Sequence, residues 1–492
     1  MCSVAITFIV TPILVNRLGD EQYGIWSIAI SLASYYALSN LGLRAAGVKY
    51  VSQFDAVQDR ESVNAVVMTM FSVYLAIAAS VILIAIVVAF AFPSFLKAES
   101  VPSNSIRLVV LLTGLAVSVG MLGQNYETIL VALKRFDQIV VLSVLSKLIQ
   151  SAMIILAIAK GGGLVAMAII VLGVMVVRQL ITGLLAVRAA PYLSISLRYV
   201  QIAMLKRLFG FGLSNVVLAV ARRINNFGGT LIVGMMLGPA TATYYKIAES
   251  LAVNIEDLGK GVSSVLMPVA SQLDAQGRRK DVTGAFLLSS RTVLALMASV
   301  SAMFVTLGKP LIATWISQAH ADGAYSVLCL LGIGMAVHTY GLCASSILKG
   351  TGNMTPLVRA ALVDVLLTCV LSLVLTYRFG IVGMGLAILI VQILIGGIVV
   401  PTITCRVIGV TTTAFLQEVG VLGLSAAMPA TALSAALSYL SPPTMVLHVV
   451  AHAALIMLVT AASIFLVCFD RAIRVKVLYS VFPWLCRVRQ DS

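Results

Sequence analysis

Residues Val67–Phe92 read VMTMFSVYLAIAASVILIAIVVAFAF, twenty-six residues without one charge. At about 1.5 Å per residue, a helix of roughly 20 such residues crosses the hydrocarbon core of a bilayer. The strands of a membrane barrel would instead alternate apolar with polar positions in segments of about ten. Neither Val81–Phe92 nor Ile381–Val400 alternates. Runs of this kind recur on both sides, about 14 in all: 2–17, 24–45, 67–92, 107–132, 139–159, 163–187, 208–236, 241–266, 284–307, 325–348, 357–377, 380–404, 418–440 and 445–469. Of the 492 residues, 60% are apolar and only 10% charged, against about 25% charged in a soluble domain. The fold class is therefore an all-α polytopic membrane protein.

Several chemistries lack their residues. Met1–Val10 has no basic n-region and no polar gap after it, so the first run reads as a span and not as a cleavable signal. Seven cysteines, mostly within apolar runs, have no metal or disulfide spacing and read as small hydrophobes. Gly259-Lys260-Gly261 and Gly308-Lys309-Pro310 lack the rest of a phosphate loop. His338, His448 and His452 stand in apolar helices, and no nucleophile–base or HExxH grouping appears. The expectation is a protein that is not an enzyme and carries no metal or other cofactor.

Lysines and arginines set the orientation. With the N-terminus cytoplasmic, the even loops carry Lys49 and Arg60; Lys134 and Arg135; Arg188, Arg198, Lys206 and Arg207; Arg278, Arg279 and Lys280; Lys349; and Arg406. The odd loops carry little beyond Arg17, Lys97, Lys160, Lys309 and Arg378. Both termini are thus expected in the cytoplasm. The +15 net charge follows from topology without any nucleic-acid partner, and the basic tail 471–492 suits anionic lipid headgroups.

The chain also matches itself. Leu18-Gly19 matches Leu237-Gly238, and Ser52-Gln53-Phe54-Asp55-Ala56 matches Ser271-Gln272-Leu273-Asp274-Ala275. Leu133-Lys134 matches Leu348-Lys349, and the Gly163 segment matches the Gly380 segment. A unit of six spans keeps both copies in one orientation, a parallel repeat about an axis along the membrane normal. The expected organisation is two six-helix bundles, 1–205 and 206–406, an additional helix pair at 407–470 and the tail.

The segment Thr11-Pro12 through Asn16-Arg17-Leu18-Gly19-Asp20-Glu21-Gln22-Tyr23-Gly24-Ile25-Trp26 resembles the opening of polysaccharide transporter family proteins. Leu266-Met267-Pro268-Val269-Ala270-Ser271-Gln272-Leu273 and Phe379-Gly380-Ile381-Val382-Gly383-Met384-Gly385-Leu386-Ala387 carry the same resemblance. These are lipid-linked oligosaccharide flippases of the multidrug/oligosaccharidyl-lipid/polysaccharide exporter superfamily. The resemblance implies a V-shaped pair of bundles around a cavity in a bacterial inner membrane. It implies transfer of an undecaprenyl-diphosphate-linked sugar by alternating access, a monomeric transport unit surrounded by membrane lipid, and a polysaccharide polymerase as a partner. Many relatives carry an acid in the seventh span, where this chain reads Arg222-Arg223-Ile224-Asn225-Asn226-Phe227, so that acid's role does not carry over.

Ionisable groups inside spans are functional candidates by default. Arg222 and Arg223 sit near the middle of the seventh span, about 100° apart, so they point differently. They suit diphosphate oxygens or, equally, an interhelical ion pair. The eighth span carries a polar stripe of Lys246, Glu249, Ser250, Asn254, Asp257, Lys260 and Ser264. That stripe either binds cargo or pairs with itself. The second span offers Ser27, Ser31, Ser34 and Tyr35, with Arg44 at its end, for sugar or for packing. Lone charges elsewhere are Glu127, Lys147, Arg178, Arg291 and Asp364. The anionic-headgroup candidates are Arg222, Arg223, Lys246, Lys147 and Arg291; the H⁺ or Na⁺ coupling candidates are Glu249, Asp257, Glu127 and Asp364. A multidrug cation antiporter and a non-transporting membrane scaffold are the competing functions, the first disfavoured by the basic excess.

Overall fold

A computed structural model of the chain describes residues 2–36, 43–96, 98–194, 196–210, 213–441, 443–471 and 474. Among them the secondary structure is helical throughout, with no strand. Lipid offers no partner for a free N–H or C=O, so each crossing must close its own backbone hydrogen bonds.

The N-terminal helices are α1 (Cys2–Leu18), α2 (Asp20–Tyr36), α3 (Leu43–Ala56), α4 (Arg60–Phe95), α5 (Ser103–Ala132), α6 (Phe136–Ala159) and α7 (Leu164–Ala189). A short amphipathic α8 (Ile202–Gly210) precedes α9 (Leu213–Leu237), α10 (Pro239–Ala275), α11 (Arg279–Trp315), α12 (Gln318–Gly350) and α13 (Met354–Val391). After a π-helical stretch, Gln392–Val399, come α14 (Val400–Ile408), α15 (Thr412–Phe415), α16 (Leu422–Leu440) and α17 (Val446–Ser463).

Nine helical stretches among the described residues are long and apolar enough to cross a membrane. One of them, Met354–Ile408, holds two spans, because Gly380 (φ 61°, ψ −142°) breaks α13. With α1, α2, α9 and α10, which are shorter or more charged, each of the fourteen expected spans has a helical counterpart among the described residues. Two of them cross residues outside the described ones: the span read as 24–45 covers α2 to Tyr36 and Leu43–Ala45 of α3, and the span read as 208–236 covers the end of α8 and α9. The α3 helix buries Leu43, Ala46, Gly47 and Val51 and leaves Lys49 and Gln53 on its other side.

The turns recur along the chain. Positive φ occurs at Gly19 and Gly238, at Gln58 and Gly277, and at Gly161 and Gly380, each pair 219 residues apart, and at Lys134 and Gly352, 218 apart. Each marks a helix junction, where a left-handed residue ends one helix so that the next can start.

Packing divides the chain into two compact units, Met1–Lys246 and Ile247–Ser492. The N-terminal unit centres on Tyr74, Met70, Val66, Ile129 and Leu130, with Met204 and Leu208 of α8 covering the same core. Ser118 of α5 donates across to the Ala78 carbonyl of α4 at 3.2 Å, one of the polar ties that hold helices together in lipid. At one end Glu21 grips the connection between α4 and α5. It accepts from the backbone N–H groups of Glu99 (2.6 Å) and Ser100 (3.1 Å) and from the Ser100 hydroxyl. Burial pushes this carboxyl up, but the Ser100 and Glu99 donors outweigh it and hold Glu21 below its ordinary value. A depressed carboxylate stabilises fully above its unfolded pKa, about 4.3, and the contribution is lost as pH falls through the lower folded value. Protection of residues 98–102 from hydrogen exchange, taken relative to the intrinsic rate at each pH, should therefore be lost only in that acid window. In Glu21→Gln that protection should be weak at every pH.

In the C-terminal unit the additional pair packs on α11. Phe286 stacks on Phe415 (centroids 5.1 Å apart), with Tyr340 of α12 beside it at 5.9 Å. Ala295 packs with Ala426, Ile464 and Cys468, and further along Leu307 packs with Ala430 and Ile456. Thr306 and Ser434 share a hydroxyl–hydroxyl hydrogen bond. Small residues let these helices approach closely, as lipid-embedded helices require.

Candidate functional site

The best-defined charged group within the spans lies in the N-terminal unit. Glu127 on α5 is buried. Arg178 on α7 donates from Nη2 to its Oε1 at 2.6 Å, and Arg44 on α3 places Nη2 3.4 Å from its Oε2. A carboxylate left alone here would face the full cost of desolvation. Two guanidinium groups offset that cost and leave the cluster net positive. The Tyr74 hydroxyl of α4 lies within electrostatic reach of Arg44 and Glu127 and is fully buried. Neither it nor Arg178 Nε has a hydrogen-bond partner among the described residues. The Arg44 side chain is 43% exposed, so its outer N–H groups face away from the protein core. The arrangement can bind an anion through Arg44 while Glu127 and Arg178 stay paired.

Around this cluster α5 and α7 carry further amides. Gln179 fits against Gly123, where a methyl group would collide with the glutamine amide. Asn125 and Gln179 each keep a buried carbonyl oxygen without a partner among the described residues. Four polar side chains on two facing helices make this a wet-natured patch within an otherwise apolar bundle.

A second group forms where α9 meets α2. Tyr35 donates to the Ile224 carbonyl at 3.4 Å, beside the partly buried Arg223. The Arg222 side chain lies outside the described residues, as do those of Asn254, Asp257, Lys260 and Ser264. In α10, Lys246 is partly buried and Glu249 buried. Ser250 donates back to the Ile247 carbonyl of its own helix at 2.9 Å. Ser34 does likewise with Ile30 at 3.0 Å; Ser27 and Ser31 are buried, and the Ser31 hydroxyl has no hydrogen-bond partner among the described residues.

The lone charges separate. Lys147 is exposed on α6, near the middle of that helix. Arg291 on α11 is buried between the additional helices, 3.9 Å from Glu418 and 3.7 Å from Asp470. Asp364 accepts from Thr368, one turn on, at 3.5 Å. His338 is hydrogen-bonded through Nδ1 to Gln392 at 2.8 Å, at the start of the π-helical stretch. No group of three or more histidine, cysteine or acidic side chains suited to a metal occurs among the described residues. The structure thus joins Glu127 with Arg178 and Arg44, three residues taken singly in the sequence. They are 51 and 83 positions from Glu127, so no local spacing announced them.

A family model described as "Polysaccharide biosynthesis protein" matches residues 1–274. No curated protein sequence matches the chain. Among solved structures, the lipid II flippase MurJ in an inward closed conformation superposes with a TM-score of 0.70. The match covers 94% of this chain and 96% of MurJ at 14% identity. A multidrug resistance MATE family transporter of the MOP superfamily, inward-facing, superposes with a TM-score of 0.69 over 84% of this chain and 96% of that one, at 15% identity. The fold is the one these membrane transporters share.

Proposed function

This chain belongs to the polysaccharide biosynthesis protein family, and from that premise we propose that it is a flippase for an undecaprenyl-diphosphate-linked oligosaccharide, not an enzyme. It works by alternating access in a bacterial inner membrane, as a monomeric transport unit with both termini cytoplasmic. The cargo feeds surface-polysaccharide assembly, with a polymerase downstream. The observation that carries the reading is the sign of the charge inside the spans. Arg44 and Arg178 outnumber Glu127, and Arg223, Lys246 and Lys147 add to the excess. Guanidinium groups take phosphate oxygens in bidentate fashion, whereas an organic cation would need an acidic or aromatic lining. The MATE structures support a drug-exporter reading for the fold alone, and the basic excess disfavours it here. The structural likeness to the lipid II flippase, a protein named for a lipid cargo, supports the same class.

Two parallel copies of six spans, 1–205 and 206–406, would supply the rocking halves. The recurrence of positive φ at one offset supports that reading. Glu127, Glu249, Asp257 and Asp364 are the acids available for H⁺ or Na⁺ coupling.

Arg44→Gln, Arg223→Gln and Lys246→Gln, made singly and together, are expected to lower surface polysaccharide in cells with matched protein levels. A charge-assisted hydrogen bond contributes about 1.5–3 kcal/mol, so each loss should weaken headgroup binding by roughly 10- to 100-fold. Full polysaccharide output from the triple variant sinks the proposal.

A further inference from the structure

The connection from the sixth span to the seventh is strapped down within the N-terminal unit. The Tyr192 hydroxyl donates to the Asp55 carboxylate at 2.6 Å, and the Arg60 guanidinium stands over the Tyr192 ring at 5.4 Å. Asn64, buried near the start of α4, donates to the Tyr192 carbonyl at 3.2 Å and accepts from the Ser194 N–H at 2.7 Å. The Gln201 N–H donates to the Thr69 hydroxyl at 3.1 Å, and Met204 and Leu208 of α8 then enter the core of the unit.

The other half lacks these holders. At the offset of 219 that relates Gln58 to Gly277, Asp55 and Arg60 recur as Asp274 and Arg279. Asn64 and Thr69, however, become Thr283 and Leu288. The amide and the hydroxyl that grip the strap belong to the half that has a strap to grip.

These ties also set its depth. Thr69 lies two residues inside the charge-free run that starts at Val67, so Gln201 sits where α4 enters the bilayer. At that depth the strap is basic and apolar at once. Arg198, Lys206 and Arg207 are exposed, and so are Val200 and Ile202, the latter at 74%. Arg198 lies over the Tyr199 ring at 4.8 Å and donates to its hydroxyl at 2.8 Å. Lys49 is exposed on α3, which packs beside α8. Between Asp137 and Glu249 the chain holds no acid. Of the nearby acids, Asp55 is engaged by Tyr192 and Asp59 by the Ser62 N–H, which leaves Glu61 exposed among the cations.

A helix with one apolar side in the protein, lysine and arginine outside, and exposed aliphatic residues at headgroup depth suits the membrane interface. A phospholipid satisfies both halves of this surface. Its phosphate meets the guanidinium groups, and its acyl chains meet Ile202 and Val200. A soluble anion would leave the isoleucine in water. We infer that the strap, residues 198–207, is a docking surface for anionic phospholipid of the adjoining leaflet, whose occupancy steadies α8 between the sixth and seventh spans.

The test places the full chain in vesicles of phosphatidylcholine, alone or enriched in phosphatidylglycerol, and follows hydrogen exchange of residues 198–208. Both leaflets carry the same lipid, so the result does not depend on orientation. Each basic side chain at an anionic surface strengthens the attraction roughly fivefold, so phosphatidylglycerol should slow exchange about tenfold or more. Arg198→Gln, Lys206→Gln and Arg207→Gln combined should erase that difference while exchange of residues 60–70 stays unchanged. Arg198→Lys with Arg207→Lys keeps the charge and should keep most of the difference. If the triple variant does not fold, high salt on the unaltered protein screens the same attraction and should erase the same difference. Equal exchange in the two kinds of vesicle overturns the docking surface, as does a difference that salt leaves intact. Undecaprenyl diphosphate, added sparsely to phosphatidylcholine vesicles, separates the two sources of phosphate. If it slows exchange as much as phosphatidylglycerol does, the strap is a cargo dock and the phospholipid assignment is overturned. No transport is measured, so the outcome stands apart from the proposed cargo.

Discussion

Glu127→Gln is expected to strip most of the folded protein from the membrane. The substitution keeps the size and hydrogen-bonding shape of the side chain and removes only its charge. Arg178 and Arg44 are then left facing each other across a neutral amide, in a bundle whose Tyr74 hydroxyl supplies no compensating charge. Breaking one partner out of a buried ion pair costs about 3–5 kcal/mol, because the surviving charge stays desolvated. A fold stable by roughly 5–15 kcal/mol has little room for that. The measurement is thermal unfolding of purified protein, together with its abundance in membranes. Glu127→Gln with Arg178→Gln should recover much of the loss, since the pair as a unit is close to neutral for stability while either half alone is not. A single variant that melts with the wild type would show that the carboxylate is not what neutralises Arg178.

Gly383→Ala should be nearly as damaging, for a steric reason. Gly380 turns the chain back on itself with a left-handed φ, and the helix that follows starts hard against the one just ended. Gly383 lies on the Leu375 carbonyl and the Thr376 amide, and Thr376 points its hydroxyl at the Met384 sulfur 3.7 Å away. An added methyl meets backbone, which cannot swing aside as a side chain would. Overpacking of this kind typically costs about 1–3 kcal/mol, and more when no rotamer change can relieve it. The control is Gly173→Ala on α7, where a methyl would meet nothing within 4 Å. There the better helix propensity of alanine should raise stability by up to about 1 kcal/mol. Equal melting of both variants would mean that the hairpin has slack at Gly383.

Much of the fold is legible in the sequence. The expected spans 357–377 and 380–404 leave Arg378-Phe379 between them, and α13 reverses at the next residue, Gly380. The Lys134–Arg135 and Arg278–Lys280 segments were read as connections, and helices end and begin there. The second expected span, 24–45, runs across residues outside the described ones into α3, whose buried Leu43, Ala46, Gly47 and Val51 make it amphipathic. The candidate site was less legible. Glu127 and Arg178 were both singled out, but as separate charges. Arg291 was open to an anion or to pairing, and the structure sets it 3.9 Å from Glu418 and 3.7 Å from Asp470. The serines of α2 were open to sugar or to packing, and the bond of Ser34 returns to its own helix.

The division has a physical cause. A segment in hydrocarbon must satisfy its backbone by itself, so length and apolarity alone determine which residues cross as helices. Lysine and arginine counts in the connections give only an expected orientation. Which residues cross belongs to each segment singly, and the sequence by itself determined it. Which charge neutralises which depends on the rotation and tilt of each helix about its neighbours. That is decided by small-residue contacts such as Gly123 with Gln179 and Gly24 with Pro239. Only the tertiary structure could place Arg44 and Arg178 around Glu127, and only it could bring Asn64 to Tyr192 and Ser194.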